Sequence, residues 1–155
     1  MLVPAQTLAR AAYATLGFDP ELADAGYYLV NAPWLNGQFA EAYWDFLEIY
    51  DLTHYLTEAN DCDKFDHWAA AVARALHSRT VRALSLPPGG LAFGCFRYQP
   101  DWGKGGAHSI NWFAYGCPPE DAHPEGIALG FYEPQQRVVI TLTEKELGTC
   151  YKCAA

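Results

Sequence analysis

Cys62 stands in the segment Asn-Asp-Cys-Asp, residues 60–63, whose composition is typical of a helix start. Asn60 or Asp61 is a good N-cap residue, and Asp63 in the first turn suits the positive end of the helix dipole. A thiol at a helix N-terminus ionises more readily, and the thiolate is the reactive form. This is the position that a cysteine hydrolase needs for its nucleophile. The alternative is that Cys62 is a small hydrophobic residue buried under the first turn.

His108 lies in Gly-Gly-Ala-His-Ser-Ile-Asn-Trp, at the start of a predicted strand, and Glu133 ends another predicted strand. If Tyr115 pairs with Gly126, the paired residue numbers of an antiparallel register sum to 241, which sets His108 opposite Glu133. A carboxylate beside imidazole Nδ1 fixes the tautomer and stabilises the imidazolium. A strand-end histidine or a turn glutamate is by itself more often structural. Cys62, His108 and Glu133 together match a catalytic triad of nucleophile, base and carboxylate, and this agreement favours the functional interpretation.

Three carboxylates surround the candidate nucleophile: Asp61 and Asp63 flank Cys62, and Asp66 follows one turn later. Like charges disfavour ionisation of a thiol. Either these side chains point away, or positive charge lies among them. A divalent cation held by carboxylate oxygens would reverse the local electrostatics, so Asp61, Asp63 and Asp66 are candidate metal ligands. The alternative is that they only decorate a helix N-terminus.

Helical patterns occupy the first half of the chain. Ala-rich residues 5–16 predict a helix that ends at Gly17. Pro20 suits the first turn of a short helix over residues 21–29. Apolar side chains at three- and four-residue steps predict an amphipathic helix through residues 39–50, and a further helix runs over about residues 61–77.

Strand patterns follow the Pro-Pro-Gly-Gly break at residues 87–90. The short aromatic or β-branched segments cover residues 91–98, 107–115, 126–132 and 137–142, the last two joined by a tight turn. Helices followed by an antiparallel meander predict an α+β fold in which N-terminal helices pack against a C-terminal sheet. Because neither half can cover its own apolar face, we expect a single domain over residues 1–155.

Composition excludes several classes of protein. The chain has 155 residues, of which 51% are hydrophobic, too many for a disordered chain. Its formal net charge of -8 disfavours nucleic acid as a partner. We find neither an apolar run of the roughly 20 residues that span a bilayer nor a secretory signal. Five unevenly spread cysteines suit a reducing cytoplasm better than a disulfide framework.

The three motifs together resemble the papain-like domain of mushroom agglutinins, the ricin-B-type chimerolectins. The resemblance covers residues 60–142. It implies a papain-like core over residues 61–142, between a helical N-terminal part, residues 1–60, and a C-terminal tail, residues 143–155. It implies a catalytic triad of Cys62, His108 and Glu133, and activation of proteolysis by calcium or manganese. The chain lacks a lectin trefoil pattern, so the resemblance does not imply sugar binding.

Residues close to Cys62 and His108 in the sequence are candidates for the oxyanion hole and the substrate groove. Asn60 and the Cys62 amide are candidates for the oxyanion hole. Ser109, Asn111 and Trp112 lie close enough to His108 in sequence to line a substrate groove.

A Cys-x-x-Cys pair, Cys150 and Cys153, stands at the C-terminus. A structural zinc would need two more ligands, from Cys117, His123 or Cys95, and the spacing fits no standard zinc module. The sequence therefore disfavours zinc there. Cys95 itself is typical of a strand core, and His67 of a surface.

Two functions stay open, beside a purely structural role in which the carboxylate cluster binds calcium. The first is a papain-like cysteine hydrolase, a peptidase or amidase acting on a peptide or protein. The second is a non-catalytic protein-binding module on the same scaffold. Stand-alone domains of this pattern are also similar to ones encoded by bacteriophages, which implies the host cytoplasm as the location. The sequence leaves the oligomeric state open.

Overall fold

The computed structural model describes residues 1–54, 61–101, 106–118 and 124–155. The chain alternates short strands and helices in its first half and is mostly strand in its second. The elements are β1 Leu2–Pro4, α1 Ala5–Leu16, β2 Gly26–Tyr28, α2 Ala32–Trp34, a π-helical turn Leu35–Phe39, α3 Ala40–Ile49, α4 Cys62–Ala83, β3 Gly90–Leu91, β4 Phe93–Tyr98, β5 His108–Gly116, a 3₁₀ turn Pro124–Gly126, β6 Ile127–Glu133, β7 Val138–Ile140, α5 Glu144–Leu147 and β8 Lys152–Ala154.

The centre of the molecule is a five-stranded antiparallel sheet in the order β7-β6-β5-β4-β8. A smaller sheet pairs β1 with β2 antiparallel and β2 with β3 parallel. Helices from the N-terminal part pack against the five-stranded sheet. The predicted α+β class is therefore confirmed. Within the described ranges, we find no helix that is both long enough and apolar enough to cross a lipid bilayer.

The five-stranded sheet has a separate apolar core on each face, because successive side chains of a strand point to opposite sides. On one face, Leu8 and Ala12 of α1 pack with Ile110, Trp112 and Phe131. Gly17 ends α1 in a left-handed conformation at φ 74°, and its N–H donates to the Tyr13 carbonyl, as the sequence predicts. This core fixes the β5–β6 pair from one side.

The second core lies under α3 and α4. Phe65 and Ala69 of α4 pack with Tyr43 of α3 and with Phe93 and Phe113 of the sheet. The predicted helix beginning near residue 61 is confirmed, and it extends to Ala83. These contacts place the first turn of α4 against β4 and β5.

Two segments differ from the predictions. The helix predicted over residues 21–29 is wrong, because Gly26–Tyr28 forms β2, which buries Tyr27 and pairs with β1 and β3. Residues 143–155, predicted as a tail, contain α5 and β8, and β8 pairs with β4 as an edge of the larger sheet. The prediction of a single domain stays a prediction.

Gly94→Ala is expected to displace β8. A Cβ at Gly94 would overlap the Ala154 carbonyl and lie 2.8 Å from the Ala155 Cα, so the C-terminal strand must move. The Trp112 indole N–H also donates to the Ala154 carbonyl, at 3.1 Å, and would lose this acceptor. We expect the free energy of unfolding to fall by about 1–3 kcal/mol, measured by urea denaturation. In the matched Gly106→Ala variant, the added Cβ meets nothing within 4 Å; equal stability of the two variants would contradict the prediction.

Candidate active site

Cys62 is the first residue of α4. Asp61 precedes it in extended conformation, φ -105° and ψ -178°, as an N-cap residue does, and its carbonyl accepts the N–H groups of Lys64 and Phe65. The Cys62 side chain is partly buried. The thiol thus lies at the helix N-terminus that the sequence predicts. Asn60, the other predicted N-cap and oxyanion residue, lies outside the described residues.

His108 begins β5 and Glu133 ends β6, and their side chains are hydrogen-bonded. His108 Nε2 lies 2.6 Å from Glu133 Oε2, and the two side chains are 12% and 6% exposed. The other carboxylate oxygen, Oε1, accepts the Gln135 backbone N–H at 3.0 Å. The Tyr98 ring packs edge-on against the imidazole, with 5.8 Å between ring centroids. The carboxylate is therefore held at both oxygens and directed at one imidazole nitrogen.

The strand register behind this contact differs from the predicted one. Tyr115 pairs with Ala128 and Asn111 with Tyr132, so paired numbers sum to 115 + 128 = 243 rather than 241. The 3₁₀ turn Pro124–Gly126 takes Gly126 out of β6, which moves the pairing by two residues. Since side chains alternate with period two, this shift keeps Glu133 on the face of His108 but makes the pair diagonal. The carboxylate meets Nε2, not the predicted Nδ1.

The Cys62 side chain hydrogen-bonds to His108. Because Nε2 of His108 is hydrogen-bonded to Glu133, the other imidazole nitrogen, Nδ1, is the one that can bond to the Cys62 thiol. Burial acts to lower the pKa of His108, but the hydrogen bonds to Cys62 and Glu133 and the charges of both outweigh burial and raise that pKa to about 9. These contacts therefore favour the imidazolium form of His108 once it has gained a proton. The structure brings the three predicted residues Cys62, His108 and Glu133 into one hydrogen-bonded chain.

The three predicted metal ligands do not converge. Lys64 Nζ lies 3.6 Å from Asp61 Oδ1 and 3.4 Å from Asp63 Oδ1, and Arg97 Nη2 lies 3.6 Å from Asp63 Oδ2. A hydrogen bond with Asp61 and the Lys64 ammonium lower the pKa of Asp63. The positive charge near the helix start therefore comes from Lys64 and Arg97. Asp66 turns into the interior, so these carboxylates do not fit a shared calcium or manganese ion.

Asp66 is fully buried between α4 and the sheet. Its carboxylate accepts the Ser109 hydroxyl and contacts His67 Nδ1, and its backbone carbonyl accepts Asn111 Nδ2 at 2.8 Å. Odd-numbered residues of β5 face α4, as Phe113 also shows, so Ser109 and Asn111 are buried beneath the helix. Their predicted place in a substrate groove is wrong.

Trp112, the third predicted groove residue, is fully buried in the core under α1. It stands between Ile110 and Ala114 at the interior even-numbered positions of β5, and these three side chains belong to the core under α1. Its burial rules out contact with substrate. The alternation of small polar and large apolar residues along β5 is the sequence signal that could have separated these faces.

The C-terminal Cys150 and Cys153 are free thiols. Burial raises the pKa of Cys150 to about 11 and that of Cys153 further. Neither joins a cluster of three or more potential metal ligands among the described residues. His123, which the sequence offered as a further ligand, lies outside them. A different group converges instead, Asp66 with His67 and Cys95, whose ligand atoms lie within 4.8 Å of one another.

Comparison with known proteins extends to fold only. No protein-family model matches the sequence, and no curated protein sequence does. The crystal structure of Polyporus squamosus lectin bound to the human-type influenza-binding epitope Neu5Aca2-6Galb1-4GlcNAc is similar, with a TM-score of 0.66 and 15% sequence identity. The match covers 99% of this chain and 49% of the lectin chain, so this chain spans about half of its length. That lectin is a ricin-B-type chimerolectin whose other domain is papain-like. The predicted resemblance is confirmed for the fold: this chain folds like the papain-like domain of a mushroom chimerolectin.

Proposed function

We propose that the protein is a cysteine hydrolase that cleaves a peptide or other amide bond, with Cys62 as nucleophile, His108 as acid and base, and Glu133 as the residue that orients His108. The observation that carries this proposal is the continuous hydrogen-bonded chain of these three side chains. Cys62 and His108 are 108 − 62 = 46 residues apart, and His108 and Glu133 a further 25. A fold that gathers such distant residues at a helix N-terminus suits nucleophilic catalysis.

The chemistry follows from the two imidazole nitrogens. His108 takes the thiol proton of Cys62 on Nδ1, while Glu133 accepts the Nε2 hydrogen and stabilises the imidazolium. The thiolate attacks the carbonyl carbon, and a sulfur–carbon bond forms as the oxygen becomes negative. The Nδ1 proton then passes to the leaving nitrogen, and the carbon–nitrogen bond breaks. Water, deprotonated by His108, hydrolyses the resulting thioester and regenerates the thiol.

The helix start supplies a donor for the oxyanion. Cys62 occupies the first position of α4, and a backbone N–H at that position has no intrahelical acceptor. An amide pointing at a developing negative oxygen is the usual element of an oxyanion hole. The adjoining positive end of the helix dipole favours the same charge. The Cys62 N–H is therefore the donor that we assign to this role.

Thiol alkylation tests the activated nucleophile. At neutral pH, iodoacetamide is expected to modify Cys62 first, because burial raises the pKa of Cys95 to about 12 and that of Cys150 to about 11 and keeps these thiols protonated. Peptide mapping by mass spectrometry gives the rate at each cysteine. Protein unfolded in urea is the control, in which the five thiols should react alike. If Cys62 in the folded protein is no faster than the other four, the proposal fails.

Hydrolysis is tested with fluorescein-labelled casein and a set of peptidyl aminocoumarins. The native protein is compared with Cys62→Ala, and a rate that survives the substitution contradicts the proposal. Because the family resemblance implies activation by calcium or manganese, each assay is run with either ion and with EDTA. Selective alkylation of Cys62 without cleavage of any of these substrates would favour the non-catalytic protein-binding module.

A further inference from the structure

We propose that Asp66, His67 and Cys95, together with Asn111, form a binding site for a zinc-like divalent ion between α4 and the sheet. The site is separate from the Cys62–His108 pair and from the C-terminal Cys150 and Cys153. It does not depend on the proposed hydrolase activity.

The ligand atoms are already close together. One atom each from Asp66, His67 and Cys95 lies within 4.8 Å of the other two. His67 Nδ1 contacts Asp66 Oδ1 and the Asp63 backbone carbonyl, contacts that a bound ion would replace, and the Cys95 thiol is hydrogen-bonded to the Asp66 side chain. Two elements supply these groups: adjacent residues of α4, and β4 beneath them. Carboxylate, imidazole and thiolate are the groups that zinc uses in proteins.

Asn111 supplies an independent observation. It pairs directly with Cys95 across the β4–β5 ladder, so both side chains lie on the face under α4. Its Nδ2 group donates to the carbonyls of Asp66 and Gly94, which fixes the orientation of the amide. The residue is fully buried, and its Oδ1 atom has no hydrogen-bond partner among the residues that the structure describes. A buried acceptor without a donor costs about 1–3 kcal/mol, and a cation beside it would satisfy the oxygen.

The charges and ligand types select the ion. One aspartate and one cysteine thiolate carry two negative charges, which a divalent ion neutralises, so the ion and its ligands together have no net charge. When sulfur binds the metal, the proton of the Cys95 thiol passes to solvent. Sulfur and imidazole ligands favour zinc or cobalt over calcium, magnesium and manganese, which prefer oxygen. The site therefore differs in kind from a hard-cation site.

One side of the site is open. The side chain of His67 is 57% exposed, whereas Asp66 is fully buried and Cys95 is 9% exposed. An ion can thus enter along the imidazole, and water can complete its coordination there. Asp66 and His67 lie one turn beyond Cys62 on α4, and Asn111 lies on the strand that begins at His108. A bound ion would tie the helix of the nucleophile to the strand of the base.

Cobalt titration tests the site, because a thiolate bound to cobalt absorbs strongly in the near ultraviolet and tetrahedral cobalt absorbs in the visible. The full chain is treated with EDTA, desalted and titrated with CoCl₂, and ZnCl₂ is then added in competition. We expect one equivalent of cobalt with a thiolate band that zinc displaces. The thiolate band should vanish in Cys95→Ala, and affinity should fall roughly tenfold or more in His67→Ala.

Matched variants separate this site from the other cysteines. Cys62→Ala and Cys150→Ala should keep the cobalt spectrum unchanged. His67 is exposed, so His67→Ala keeps the experiment informative if Cys95→Ala fails to fold, which circular dichroism reports. A thiolate band that survives in Cys95→Ala, unchanged affinity in His67→Ala, loss of the band in Cys62→Ala or Cys150→Ala, or absence of the band at millimolar cobalt would each overturn the proposal.

Discussion

Glu133→Gln is expected to lower Cys62-dependent casein hydrolysis by roughly 10³- to 10⁴-fold, although the side chain keeps its shape. The reason lies in Gln135, whose backbone N–H donates to Glu133 Oε1 at 3.0 Å. In the variant, the amide oxygen must stay on this N–H, which leaves the NH₂ group facing His108 Nε2. Nε2 must then be an acceptor, so the neutral imidazole carries its proton on Nδ1. Nδ1 can no longer take the thiol proton of Cys62.

The measurement is the hydrolysis rate together with the Cys62 alkylation rate, and both should fall. Glu144→Gln, at an exposed position of α5, removes the same charge elsewhere and should leave both rates unchanged. The position of the His108 proton is read by nitrogen-15 NMR of the imidazole. Full activity of Glu133→Gln, or an Nε2–H tautomer in it, would show that the carboxylate does not set the protonation state of His108.

The sequence carries the candidate triad because each member stands at the end of an element with a clear local signal. Cys62 follows an acidic helix start, and His108 and Glu133 bound strands of aromatic and β-branched residues. The observed register differs from the predicted one by two residues, yet His108 and Glu133 still meet, because only a shift by an odd number moves a side chain to the other face. The predicted contact therefore survives a register error of two residues, whereas an error of one residue would place the two side chains on opposite faces of the sheet.

The small sheet and the C-terminal strand cannot be predicted from the local sequence pattern. Strands β1, β2 and β8 have three residues each, too few for alternation to be distinguished from other patterns. They form through pairing with distant segments: the Glu21 N–H donates to the Cys153 carbonyl at 2.9 Å. The cluster around Asp66 has the same cause, because His67 and Cys95 each have an ordinary local explanation as surface and core residues. Only the packing of α4 on β4 brings them together.

Stability against unfolding is expected to fall by about 3 kcal/mol as the pH rises from about 6.5 to about 9, through His108 alone. Its pKa is about 9 in the folded protein against the ordinary value of 6.5, which it regains in the unfolded chain. Between these values the folded protein holds a proton that the unfolded chain has lost, so folding is favoured by acid. The contribution is fully present below about pH 6.5 and is lost as the pH passes through about 9.

The contribution of His108 is isolated by comparing urea unfolding of the native protein and of His108→Ala, followed by tryptophan fluorescence, across this pH range. Cys150 and Cys153, whose thiols are buried, also reduce stability in alkali, but they do so in both proteins and cancel in the difference. His77 lies on α4 about four turns beyond Cys62. His77→Ala should therefore keep the full pH dependence of the native protein. If His108→Ala loses as much stability with pH as the native protein does, the imidazolium is not held by Cys62 and Glu133. An alkaline loss that is confined to the native protein and to His77→Ala would instead locate the ionic contact at the proposed active site, independently of any substrate.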